Sequence, residues 1–242
     1  MTEVLLKQEP AEGVLMLTLN RPAARNAIDL ALLDALTNAF ADFRDDARWR
    51  VAILTGTPPA FCAGLDLKTF SVPDAPRHLV TELITSIPHL GKPIIAAVSG
   101  SAFTGGLEMV LACDFAIAAE EARFADTHAK IGALSGSGMG SRLPHRVGTA
   151  WAKQMMLTCA PIDAATALRI GLVNEVMPAE ALVSRAMTLA TQIAAHDPEL
   201  IATARGVVDD AANLTLAEAT RIEQAALAER KARGAMSWNT TL

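Results

Sequence analysis

A chain of 242 residues that is 51% hydrophobic and 19% charged carries enough apolar material for a sizeable core, and it fits one large domain or two small ones. Its formal charge of -5 and its scattered lysines and arginines leave no basic surface excess, which argues against nucleic acid as a partner. Cys62, Cys113 and Cys159 are odd in number and far apart, and no window approaches 18 uninterrupted apolar residues, so the expectation is a soluble cytoplasmic protein with neither a disulfide framework nor a zinc knuckle, signal peptide or membrane span.

In chain order, the first predicted strand is GVLMLTLN, Gly13 to Asn20, an apolar run stopped by turn formers. A helix follows in DLALLDALTNAFADFRDDA, where Leu32, Leu33, Leu36, Ala39, Phe40 and Phe43 recur at helical spacing and Asp29 is placed to cap the start. Further strands are expected over Val51 to Gly56, Pro93 to Gly100, Asp114 to Ala119 and Leu172 to Val176. From about Glu180 the pattern is helix alone, in EALVSRAMTLATQIAAH and TLAEATRIEQAALAERKAR, and helices this rich in Ala need a partner surface. The class is α/β, a mixed core followed by a helical C-terminal part.

Two loops repeat one design. VAILTG leads through small residues into AFCAGLDLKTF, and PIIAAVSG leads into SAFTGGLEMVLACD. Small residues let a ligand approach the backbone, and the first turn of a helix offers unpaired N–H groups and a positive dipole end. Two such amides converging on one point make an oxyanion hole. In the second loop Glu108 interrupts a run that is otherwise apolar from Leu107 to Cys113. A helix starting near Gly105 leaves Glu108 with two readings: a cap on its own helix start, or a carboxylate beside the oxyanion site.

The chain resembles the crotonase superfamily, best known for enoyl-CoA hydratases and isomerases. The resemblance is carried in order by NRPAARNAI, AFCAGLDL, FTGGLEMVLACDFAIA, RFADTHAKIG, GMGSRLPHRVG and AATALRIGLVNEV, and runs to about residue 180. It implies a spiral of repeated ββα units over residues 1–180 holding an acyl-CoA site, and a helical trimerisation region over 181–242. It also implies a homotrimer or a dimer of trimers, and a coenzyme A thioester that is the substrate rather than a cofactor, with no metal.

Matched motif to motif, the resemblance places the oxyanion hole at the backbone N–H groups of Leu65 and Gly105. Glu108 matches the glutamate that activates water in the hydratases. The second glutamate, which exchanges the proton at the α-carbon, closes a Phe-Gly-x-Pro-Glu segment in that family. Here FADTH puts His128 in its place, with Phe124 and Gly132 keeping the register. Imidazole titrates near neutrality and can serve as the general acid or base; the other reading of His128 is a structural imidazole bonded to the backbone or to Asp126.

Arg25 and Lys68 lie where the family contacts CoA phosphates or adenine, and Ala63, Asp66 and Leu67 complete the CoA-binding set. Asp66 also reads as a helix cap. Ser135 and Ser137 replace residues of the family's Pro-Gly-x-Gly loop and are expected to shape the acyl pocket. The function these residues imply is hydration of a 2-enoyl-CoA. Isomerisation, thioester hydrolysis, decarboxylation, or acyl-CoA binding without turnover are the alternatives.

Overall fold

The structure, a computed structural model, describes residues 3–234. A hairpin of β1 (Leu5–Ala11) and β2 (Val14–Leu19) precedes α1 (Leu30–Asp45). The chain then repeats one pattern: β3 (Val51–Gly56) and β4 (Ala60–Cys62) lead to α2 (Leu67–Phe70) and α3 (Arg77–Ser86); β5 (Ile94–Val98) and β6 (Ser101–Phe103) lead to α4 (Gly105–Ala112); β7 (Phe115–Ala119) and β8 (Arg123–Ala125) lead to α5 (Met139–Thr158). After α5 come β9 (Ile162–Asp163), α6 (Ala164–Arg169), β10 (Glu175–Met177) and α7 (Ala179–Ala194), then α8 (Pro198–Ala211) and α9 (Leu216–Ala232).

In each repeat the first strand joins a six-stranded sheet, ordered β1-β2-β3-β5-β7-β10, and the second joins a four-stranded sheet, ordered β4-β6-β8-β9. Pairing is parallel along β2-β3-β5-β7 and along β4-β6-β8. This is the expected ββα spiral. The long strands are apolar throughout because both faces of their sheet are covered. Ala52, Leu54, Ala96 and Val98 face a core shared with α1, α3 and α4, whereas Val51, Ile53, Ile95 and Ala97 face α7.

That second face places α7, expected in the C-terminal helical part, against the large sheet. The first compact unit runs to Ala195 and the second begins at His196. Leu182, Ala186, Ala190 and Ala194 bury one stripe of α7 against the outer face of the large sheet, so this Ala-rich helix belongs to the core. In the second unit α8 and α9 form a helix pair joined by the ion pairs Arg230–Asp197 (3.0 Å) and Arg233–Glu199 (3.1 Å). Thr215 and Glu218 cap the start of α9 reciprocally.

Helix α1 follows expectation, with the Asp29 carboxylate accepting the Leu32 N–H at 2.9 Å. The last predicted strand is displaced. Leu172 and Val173 are buried in a turn, where the Leu172 N–H donates to Ala167 O at 2.8 Å, and pairing with β7 begins only at Glu175.

One glycine fixes how closely the repeats stack. A Cβ on Gly106 would lie 2.1 Å from the carbonyl oxygen of Cys62. Helix propensity favours Ala over Gly by about 1 kcal/mol, but a clash with backbone cannot be relieved by a rotamer change, and overpacking costs about 1–3 kcal/mol or more. Gly106→Ala is therefore expected to lower the melting temperature by several degrees, at roughly 2–4 °C per kcal/mol for a chain of this size. An unchanged or higher melting point would show that the β4 backbone gives way.

Candidate active site

Because β4 and β6 are neighbours in the small sheet, with Ala60 opposite Ser101 and Cys62 opposite Ala102, the loops that follow them are stacked side by side. The first loop is held against the segment before α1. Ile28 N–H donates to Gly64 O and Asp66 N–H to Ile28 O, both at 2.8 Å, and Gly64 N–H donates to the Cys62 sulfur at 3.4 Å. These bonds use the amides on either side of Leu65. The Leu65 N–H has no hydrogen-bond partner among the described residues. Gly64 sits at φ +92°, a conformation that favours Gly.

The second loop turns through Thr104, whose φ of 52° and ψ of -114° are strained for a residue with a Cβ. The turn is held by Thr104 N–H donating to Ala125 O at 2.9 Å and by a bond between the Thr104 and Thr127 hydroxyls at 2.6 Å. Gly105 then opens α4, and its amide likewise has no partner among the described residues. The two loops touch: a Cβ on Gly64 would lie 3.3 Å from the Gly105 nitrogen, and a Cβ on Gly105 would lie 3.3 Å from Cδ1 of Leu65.

All eight residues of α4 are buried, which is why every residue of it but Glu108 is apolar; Glu108 is 2% exposed. It is not a cap. It is the fourth residue of the helix, and the Thr104 N–H that a capping carboxylate would take is given to Ala125 instead. Its Oε1 accepts the hydroxyl proton of Ser135, and its Oε2 lies 3.9 Å from where a Cβ on Gly105 would sit, on the oxyanion side.

His128 opens a short 3-10 turn, His128–Ile131, beyond β8. Its Nδ1 is 2.6 Å from Oδ1 of Asp126, whose side chain is 3% exposed, and the same oxygen accepts the His128 backbone N–H at 3.1 Å. A carboxylate can only accept there, so Nδ1 carries a proton and Nε2 is the nitrogen left for chemistry. Burial by itself depresses the imidazole pKa, but the Asp126 hydrogen bond and the charges of Glu108 and Asp126 outweigh it and raise the group above its ordinary value.

These groups border one cavity of about 220 Å³, whose lining includes Leu65, Thr104, Glu108, Thr127 and His128. Phe70, Val80, Ile131 and Leu134 give it an apolar wall. Of the expected CoA-binding set, Ala63 and Leu67 line it, while Arg25, Asp66 and Lys68 do not. Asp66 is occupied in bracing the first loop: its carboxylate accepts the Lys68 N–H at 3.1 Å and pairs with Arg21 at 3.1 Å. Arg21 also pairs with Asp29 at 2.8 Å. Arg25 and Lys68 are exposed on the segments joined by the Ile28–Leu65 bridge. The Cys62 thiol is buried and pushed up to about 12 by that burial, which suits a packing residue and not a nucleophile.

Sequence reasoning gave no role to two supporting residues, Arg21 and Asn26. Both hold the first loop, Asn26 through its amide donating to Thr57 O at 2.9 Å and Ala60 O at 2.7 Å. Ser135, expected at the acyl pocket, turns out to bind Glu108. Among the supporting groups Asp66 and Asp126 left a local signal, since each lies two positions before the residue whose backbone N–H it accepts, a spacing at which Asx side chains bond the following backbone.

The profile of the enoyl-CoA hydratase/isomerase family matches residues 9–236, and the chain belongs to that family, within the crotonase superfamily. The mitochondrial enoyl-CoA hydratase of Pongo abelii is 37% identical over 212 residues, covering 86% of this chain and 73% of that one. Among solved structures, an enoyl-CoA hydratase from Bacillus anthracis superposes with a TM-score of 0.88 at 33% identity, over 93% of this chain and 89% of the other. A monofunctional enoyl-CoA isomerase from M. smegmatis superposes with a TM-score of 0.78 at 31% identity, over 90% and 98%.

Proposed function

We propose that this chain is an enoyl-CoA hydratase in which a glutamate and a histidine form the acid/base pair. The observation that carries the reading is that Leu65, Glu108 and His128 line one apolar-walled cavity, with the amide of Leu65 unpartnered among the described residues and the equally unpartnered Gly105 amide in the loop packed against Leu65, one residue after the lining Thr104. The amides donate to the thioester oxygen as it gains charge, each donor contributing about 3 kcal/mol. Glu108 takes a proton from water through Oε2 while the water oxygen bonds to the β-carbon. The π electrons move toward the thioester oxygen, and His128 returns a proton from Nε2 to the α-carbon. This leaves Glu108 protonated and His128 neutral, and solvent exchange through the cavity resets both. Backbone dipoles meet the developing charge, so the reading calls for no metal or redox cofactor.

Exposed Arg25 and Lys68 suit the phosphates of a bound CoA, whose thioester end would enter past Ala63 and Leu67. The proposed assembly is a homotrimer or dimer of trimers through the C-terminal helices, supported by Leu200, Val208, Leu216 and Leu227, which stay exposed on them.

The test is to mix the purified protein with crotonyl-CoA, follow loss of the conjugated thioester absorbance and identify the product. Hydroxyacyl-CoA formation in preference to a shifted double bond, free CoA or carbon dioxide establishes hydration. No loss across short, long and aromatic enoyl thioesters would sink the reading.

A further inference from the structure

We infer that Ser135 is a positioning residue that fixes which oxygen of Glu108 exchanges protons; this rests on the reading of Glu108 as the acid/base. A serine hydroxyl has one proton to donate and two lone pairs to accept with. At Ser135 both acceptor sites are taken, by the Ser137 N–H at 3.3 Å and the Met139 N–H at 3.2 Å. The proton then has one destination, Oε1 of Glu108. The hydroxyl cannot rotate to accept a proton from the carboxylate without losing the backbone amides at the start of α5.

Oε1 is therefore committed as an acceptor, and proton traffic at Glu108 is confined to Oε2, the oxygen on the Gly105 side. Ser135 itself does not border the cavity, although its neighbours Leu134 and Gly136 do. That placement behind the carboxylate makes it a support and not a nucleophile. The same loop thus does two jobs: Leu134, 88% exposed, lines the cavity, while the next residue bonds Glu108 and aims the catalytic group.

Four variants test this: Ser135→Ala, Ser135→Thr, Glu108→Gln and the double variant Glu108→Gln/Ser135→Ala. Misplacing a reacting group by about 1 Å can cost ~10²-fold, so Ser135→Ala is expected to lower kcat for hydration by ~10–10²-fold with KM little changed. Ser135→Thr, which keeps the hydroxyl, restores most of it. In the Glu108→Gln background Ser135→Ala costs nothing further, because the group it aims is already disabled. Wild-type kcat in Ser135→Ala, or an equal loss in the Gln background, overturns the inference.

A crystal structure of Ser135→Ala tests the same point independently of turnover. The Glu108 carboxylate turned away from Gly105 supports the inference, and an unmoved carboxylate overturns it. If the wild type hydrates no enoyl thioester, it is the hydratase reading that has failed, and the orientation of Glu108 in the Ser135→Ala crystal still decides whether Ser135 aims it.

Discussion

Glu108→Gln is expected to lower kcat for hydration by ~10²–10⁴-fold, the range that a positioned general base contributes. The substitution is nearly isosteric. Its carbonyl oxygen can still accept the Ser135 proton, so the packing around α4 survives. What is lost is the capacity to take a proton from water. Binding of a saturated acyl-CoA should stay within a few-fold of wild type, because the thioester oxygen is held by backbone and not by this side chain. Stability should not fall: removing a buried charge whose partner is a neutral hydroxyl often leaves a protein as stable or more so, the pattern expected where function is bought with stability. Stopped-flow hydration of crotonyl-CoA, isothermal titration with butyryl-CoA and a thermal melt measure the three quantities. A loss under tenfold would remove Glu108 from the chemistry.

The core strands and α1 were legible in the sequence because they are long enough for their pattern to show. β3 and β5 read as unbroken apolar runs because helices cover both faces. The second sheet was not legible. β4, β6 and β8 have three residues each, too few for any period, and they exist because the first strand of each repeat delivers them to the same place. β1 escaped for a different reason: it is an exposed edge strand carrying charge and Pro10, tolerable only where no neighbour needs its N–H.

At the site, the two loops and Glu108 stood out because a carboxylate in an apolar run and small residues before a helix are local signals. The Ser135–Glu108 bond spans 27 positions, and the bracing of Asp66 by Arg21 spans 45. No spacing rule brings such pairs together; only the stacked repeats do.

His128→Ala is expected to cost a further ~10²–10⁴-fold in kcat, and the pH dependence separates a catalytic imidazole from a structural one. In the hydration direction His128 must carry a proton on Nε2 to protonate the α-carbon, so activity falls as pH rises through its folded-state pKa. That pKa is raised, since the Asp126 hydrogen bond and the Glu108 and Asp126 charges overcome the opposing effect of burial. The alkaline limb should therefore lie above the ordinary imidazole value of ~6.5. Asp126→Asn removes a contribution that raises the pKa, so the limb must move to lower pH, with the loss of activity growing as the assay pH increases. Asn can also hold the ring in the wrong tautomer, which lowers the plateau as well. A pH–rate profile from about 5 to 9, spanning the imidazole range, reads both effects for wild type and Asp126→Asn. An alkaline limb that stays in place would mean that the titrating group is not His128. Retention of wild-type rates by His128→Ala would leave Glu108 and the two amides as the whole of the machinery, and would direct attention to reactions in which one acid/base suffices.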